Sequence, residues 1–184
     1  MTSKKTGRST IKVEDEEYSA DFGASGFLVD QVHTCTVEQI NSGFVRPFPT
    51  SRTRPQIYDR FLTLRTAMEV IGVSAVQWLG DEFTSNAVHP ESLDVVSVVP
   101  AHEAYSLKED RLATLFRFAS RDAAHRVDGV CSPILLDAPA NHPEREAFER
   151  AKVFWLMRLS RDVDGEPRGY IETTIDQGTQ DAEK

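Results

Sequence analysis

The 184-residue chain carries 21 Lys and Arg against 29 Asp and Glu, a formal net charge of −8, with 40% hydrophobic and 27% charged residues. That balance suits one soluble globular domain with a real core, and its acidity argues against broad non-specific duplex binding, which needs a basic face. No apolar run approaches the ~18 residues of a membrane span, and the N-terminus lacks an apolar signal stretch. Cys35 and Cys131 form no C-x-x-C pair, which points to a reducing compartment and a cytoplasmic location.

Residues 1–21 set Lys4, Lys5, Arg8 and Lys12 against Glu14, Asp15, Glu16, Glu17 and Asp21, a net of −1. Residues 176–184 set Asp176, Asp181 and Glu183 against Lys184, a net of −2. Both ends hold few large apolar residues, so 1–21 and 176–184 are expected to be disordered polar tails around a domain at 22–175.

Thr36 and Gln39 have capping-box spacing and start a short helix. Pro47 and Pro49 then require an extended connection. Ile57, Phe61, Leu64, Met68 and Ile71 step by turns of a helix, predicted from about Pro55 to Ile71 and stopped by Gly72. VSAVQWL at 73–79 and LDVVSVV at 93–99 are strands. Ser106 and Glu109 repeat the capping-box spacing and open a helix expected to reach about Ala124. CSPILL at 131–136 is a third strand, with Pro133 marking an edge or a bulge. Asn141 and Pro143 start a helix whose buried side carries Phe148, Trp155 and Leu159. The turn Asp164–Pro167 leads into a last strand at 169–175. The expected order is α-β-β-α-β-α-β, an α/β (α+β) fold of helices around a small mixed sheet.

The segment Trp78–Val99 reads W-L-G-D-E-F-T-S-N-A-V-H-P-E-S-L-D-V-V-S-V-V. A strand, a polar turn and a second strand with an acidic residue near its start resemble the active-site unit of the nucleotidyltransferase superfamily, which includes DNA polymerase beta and the minimal nucleotidyltransferases. The chain is more closely similar to uncharacterised, mostly bacterial nucleotidyltransferase-like proteins with W-x-x-G-S-F-x-T followed by a P-x-D-x-D strand. GFLVDQVHTCTVEQI at 26–40 resembles their Gly-Leu-Leu-Pro-x-Gly-x-His-x-x-Thr opening. FWLMRLSRDVDGEPRGYIETTI at 154–175 resembles their closing Trp…Arg-x-x-Gly-x-Pro-Lys-Gly segment.

The resemblance implies a nucleotidyltransferase-like fold over 22–175 and a nucleotide cleft. In such sites, carboxylates at i and i+2 of a strand face one way and grip Mg²⁺ or Mn²⁺, which bridges a nucleoside triphosphate. A Gly-Ser turn at a helix start offers backbone N–H groups to phosphate. With Phe83 and Asp94 as anchors, Gly-Ser becomes Asp81-Glu82 and the first metal carboxylate becomes Ser92, leaving Asp94. A carboxylate about 4 Å from a phosphate oxygen repels it by roughly 4 kcal/mol at an effective dielectric near 20, before screening.

Three readings of Asp81, Glu82 and Asp94 remain open. They form a solvated turn with a leftover strand-end aspartate, or a cleft for a cation or a cationic group, or a rebuilt metal site of Asp94 with Asp81 or Glu82. Thr84 and Ser85 belong to the implied nucleotide turn. The third carboxylate of the family pattern is Asp128 or Asp137, on either side of CSPILL. Arg158, Arg161 and Arg168 are the basic candidates for a phosphate, with ion pairing of Arg161 and Arg168 to Asp162, Asp164 and Glu166 as the alternative. Arg168 stands where the family has Lys, replacing a point charge by a planar fork. Arg46, Arg52, Arg54 and Arg60 form a second basic patch, on a solvated face or for an anionic partner. His33 and His89 are expected in turns or loops, and both cysteines as packing residues. Together these residues imply a catalytically degenerate nucleotidyltransferase fold that binds a partner protein or a nucleotide and needs no cofactor. The alternative is an active Mg- or Mn-dependent nucleotidyltransferase with a rearranged carboxylate set.

Overall fold

A computed structural model describes residues 18–119 and 126–177. Along the chain, β1 (Val32–Thr34), α1 (Val37–Phe44) and α2 (Arg54–Ile71) precede β2 (Ala75–Gly80), a 3-10 turn at Glu82–Thr84 and β3 (Leu93–Pro100). Then come α3 (Ala101–Ser106), α4 (Glu109–Arg117), β4 (Val130–Cys131), β5 (Ile134–Asp137), α5 (Arg145–Leu159) and β6 (Tyr170–Ile175). This is a mixed α/β fold on an open six-stranded sheet, ordered β1-β6-β2-β3, with β4 and β5 as successive partners along β3. β2 runs antiparallel to both neighbours, whereas β1 lies parallel to β6, and β4 and β5 parallel to β3.

Helices cover both faces, so β2 and β3 are almost continuously buried and lack an alternating pattern. On one face Phe61, Leu64, Met68 and Ile71 of α2 pack with Leu79, Leu93, Val95 and Ile171. On the other, Phe148, Trp155 and Leu159 of α5 pack with Trp78, Val96, Cys131 and Leu135. Leu159 comes so close that a Cβ on Gly80 would lie 2.5 Å from it. The second face also receives Asp94, because side chains alternate along β3.

Thr36 makes the expected capping box, and Gly72 ends α2 at φ 89°. Elsewhere the local expectations need correction. Strand β1 carries no alternating signal and exists through its pairing with β6. The Ser106 hydroxyl turns back to Glu103 O at 2.7 Å, ending α3 instead of capping α4. Helix α4 stops at Arg117, and part of its expected extension, 120–125, lies outside the described residues. Pro133 splits the third strand: it has no N–H to give, and its carbonyl accepts from Ser97 N at 3.0 Å between β4 and β5. Helix α5 begins at Arg145, after Asn141 and Pro143, with no side-chain cap. Tyr18, ahead of the expected boundary at 22, is packed: its ring stacks on Phe44 at 6.0 Å and its hydroxyl meets His33 Nδ1 at 2.8 Å. Gln177 bonds back to Glu69 O and Val73 O. The remaining expected tail residues, 1–17 and 178–184, lie outside the described residues. No described helix is long and apolar enough to cross a membrane.

Candidate functional site

Asp94 stands second in β3, opposite Gly80 of β2 and beside Cys131 of β4, with its side chain fully buried. Burying a carboxylate here demands countercharge. Arg158 of α5 supplies one, its Nε donating to Asp94 Oδ2 at 2.7 Å. Arg126 supplies the other, with Nη2 at 2.9 Å from Asp94 Oδ1 and 2.7 Å from Asp81 Oδ2. Arg158 Nη2 lies 3.7 Å from the same Asp81 oxygen. Two carboxylates and two guanidiniums thus close a four-membered cluster of no net charge. The Arg126 contact to Oδ1 is coulombic, because that oxygen accepts no hydrogen bond of normal geometry.

Burial, and next the Asp81 charge, push the Asp94 carboxyl above its ordinary range against the pull of both arginines. Burial works against the Arg158 charge as well, but Asp94 and then Asp81 outweigh it and hold the guanidinium protonated.

Asp81 enters the cluster at a backbone cost. Its φ of 77° and ψ of −162° fall in a region that essentially only glycine occupies without strain. The backbone thus adopts a glycine-type conformation while the side chain places a carboxylate between two arginines.

The rest of the turn is closed on itself. Glu82 accepts from Glu91 N at 2.8 Å, Thr84 donates to Asp81 O at 2.9 Å, and Ser85 donates to Glu82 O at 2.6 Å. Thr84 and Ser85 are buried, so their hydroxyls brace the turn instead of facing a ligand. Beneath it lies Arg54, fully buried and, among the described residues, in no ion pair with a carboxylate. Its guanidinium donates to Phe44 O and Phe83 O at 2.8 Å and to Ser85 O and Ala87 O at 2.6 Å, with the Phe48 ring centroid 3.8 Å away. Burial lowers its pKa to about 10. Arg54 thus leaves the proposed basic patch and becomes an internal brace between α1 and the 82–87 loop.

The sequence candidates separate accordingly. The structure unites Asp81 and Asp94, with Glu82 at the edge, and adds Arg158. Asp128 lies in the turn before β4 at φ 51°, beside Gln56, Asp59 and Arg60 on the α2 side of the sheet. Asp137 ends β5 opposite Pro100, about 20 Å along β3 from Asp94, and pairs with Arg145 at 2.8 Å. Neither is brought to the cluster; Cys131 holds the register position beside Asp94. Arg161 donates to Gly165 O at 2.7 Å, while Arg168 is buried and donates to Leu159 O and Arg158 O at 3.1 and 2.9 Å. Among the described residues neither pairs with Asp162, Asp164 or Glu166; Asp162 instead accepts the backbone N–H groups of Asp164 and Glu166. His33 is enclosed between Tyr18 and Val29 O, and His89 accepts from Arg52 N in a loop. Both cysteines are buried and neither forms a disulfide, and burial pushes the Cys35 thiol up to about 11. Sequence reasoning misses Arg126, because no motif marks it; only folding brings it from before β4 to the start of β3.

Mg²⁺ wants an oxygen shell anchored by carboxylates. Here both Asp94 oxygens lie within 3 Å of guanidinium nitrogens, and the i−2 position is Ser92. A dication about 4 Å from each guanidinium is repelled by roughly 8 kcal/mol apiece at an effective dielectric near 20. The residues present do not fit a catalytic metal.

Beside the cluster opens a cleft of about 610 Å³. Phe27, Phe154, Met157 and Val163 form its apolar wall, and Arg158 and Arg161 its basic edge. That volume falls in the range of small-ligand sites.

The chain is thus a mixed α/β domain with a neutralised ion cluster at the end of its central strand pair, next to an open cleft. Residues 20–174 match the model of a family described as a family of unknown function (DUF6932), and the chain belongs to that family. Comparisons with curated proteins and with solved structures return no match.

Proposed function

We propose that this protein is a catalytically degenerate nucleotidyltransferase fold of the cytoplasm that works by binding, taking a nucleotide or a partner protein in the cleft beside Asp81. The observation that carries this reading is the closed Asp81–Arg126–Asp94–Arg158 cluster. It occupies the surviving motif carboxylate with guanidinium charge and sets a second carboxylate where the motif has glycine. The glycine-type backbone at Asp81 supports the motif alignment. The apolar wall of the cleft supports a ligand with an apolar body, and its polar edge mixes Arg158, Arg161 and Arg168 with Asp81, Glu82 and Asp162. Two buried cysteines that form no disulfide support the reducing compartment.

Thermal-shift titration with each of the four common nucleoside triphosphates, alone and with Mg²⁺ or Mn²⁺, tests this reading. Any stabilisation of the native protein is expected to be independent of the metal. The triple variant Asp81→Gly, Glu82→Ser, Ser92→Asp is expected to gain metal-dependent nucleotide binding. Transfer of a radiolabelled nucleotide by the native protein to protein or RNA, abolished by Asp94→Ala, would overturn the proposal.

A further inference from the structure

Helix α5 buries Phe148, Trp155 and Leu159 against the sheet and turns a second stripe away from it. The stripe runs through Glu146, Arg150, Val153, Phe154, Met157 and Arg161, all exposed. Its centre is apolar, with Val153, Phe154 and Met157 at 55%, 54% and 58% exposure, although a solvated helix face is ordinarily polar. Its ends carry opposite charge, Glu146 near the start of the helix and Arg161 just past its end.

The spacing of these six positions is 4, 3, 1, 3 and 4, identical from either direction. A two-fold axis between Val153 and Phe154 therefore lays the stripe antiparallel on a second copy of itself. Phe154 of each copy then meets the Val153–Phe154 centre of the other. Arg150 runs its aliphatic stem along Met157, and Glu146 faces Arg161 at both ends. Such an isologous arrangement is what a two-fold dimer requires. The present partners of the end charges are weak competitors. Glu146 pairs with Arg150 on the exposed surface, and Arg161 binds a turn carbonyl in solvent.

We propose that α5 is a homodimer surface on which a second copy of this chain packs antiparallel, covering the Phe154–Met157 rim of the cleft. The proposal rests on the stripe's spacing and exposure and not on the ion cluster, although Phe154, Met157 and Arg161 belong to the stripe and to the cleft lining alike. A 15-residue helix is only about 22 Å long, so the contact lies at the small end of specific interfaces and the dimer is weak, with a micromolar dissociation constant.

Sedimentation velocity from about 1 to about 200 µM spans that range. The native chain is expected to shift from monomer towards dimer with concentration. Phe154→Glu is expected to stay monomeric throughout with an unchanged circular dichroism spectrum, because the side chain already faces water. Glu146→Arg and Arg161→Glu should each weaken the dimer several-fold, and the two combined should restore it, since both ends then exchange sign together. A native chain monomeric at every concentration, a dimer indifferent to Phe154→Glu, or a double variant no better than either single one would each overturn the proposal.

Discussion

Asp81 offers the sharpest test of how the motif turn is built. In an ordinary loop, Ala is more stable than Gly by about 0.4–1 kcal/mol, because glycine has more unfolded-state freedom to lose. At φ 77° and ψ −162° the order should reverse. Any side chain with a Cβ costs about 1–3 kcal/mol there, and only glycine escapes it. Asp81→Gly and Asp81→Ala both lose the contacts to Arg126 at 2.7 Å and Arg158 at 3.7 Å. The Asp81 and Arg126 side chains are 18% and 24% exposed, so that pair contributes only about 1 kcal/mol, and the loss cancels between the two variants. Strain less the unfolded-state term, each at the middle of its range, leaves Asp81→Gly more stable than Asp81→Ala by about 1.3 kcal/mol. For a domain of this size that is roughly 3–5 °C in Tm. Urea unfolding and calorimetry of the two variants measure the difference directly. An alanine variant as stable as the glycine one, or more so, would refute the claim that this backbone is strained.

Two further predictions concern the charges around this turn. Burial and then Asp81 raise the Asp94 carboxyl, so the native state binds more protons than the unfolded state from the ordinary 3.8 up to the folded pKa. This contribution to stability is fully present below that window and is lost as pH rises through it. The carboxyl ¹³C shift of Asp94 should titrate above 3.8, and Asp81→Gly should move its midpoint down; an unmoved or higher midpoint would contradict the coupling. Arg54→Met should destabilise the fold by about 3–5 kcal/mol, because it strands the buried carbonyls of Phe44, Phe83 and Ser85 and the half-buried one of Ala87. Arg54→Lys should recover little of this, since a point charge cannot reproduce the fork; near-native urea stability of either variant would refute the brace.

The residue at position 81 decides what this turn can bind. Glycine at position 81 would leave backbone N–H groups open to an anion. Aspartate there places an anion within the protein, and Arg126 and Arg158 neutralise it together with Asp94. The cluster sums to no net charge, so the chain's net charge of −8 is carried by residues outside it.

Legibility in the sequence followed the range of the interaction. The Thr36–Gln39 box, the stripe of α2 and its Gly72 stop depend on neighbours within two turns, and each forms where its spacing predicts. Ser106 and Asn141 carry the same kind of local signal and fail. Capping residues act equally well in turns, and packing around α3 and before α5 selects the turn. Strand β1 is only three residues long and is defined by its partner β6, more than a hundred residues away, so local pattern could not reveal it.

By itself the sequence determined the mixed α/β class and the two central strands. Both rest on residue type and short-range order. The tertiary structure alone decided which charges meet. It joined Arg126 and Arg158 to Asp94, buried Arg54 under the turn, and held Asp128 and Asp137 away from the site. Coulombic and hydrogen-bond energies depend on distances of a few ångströms, which a chain sets only when its strands and helices have packed.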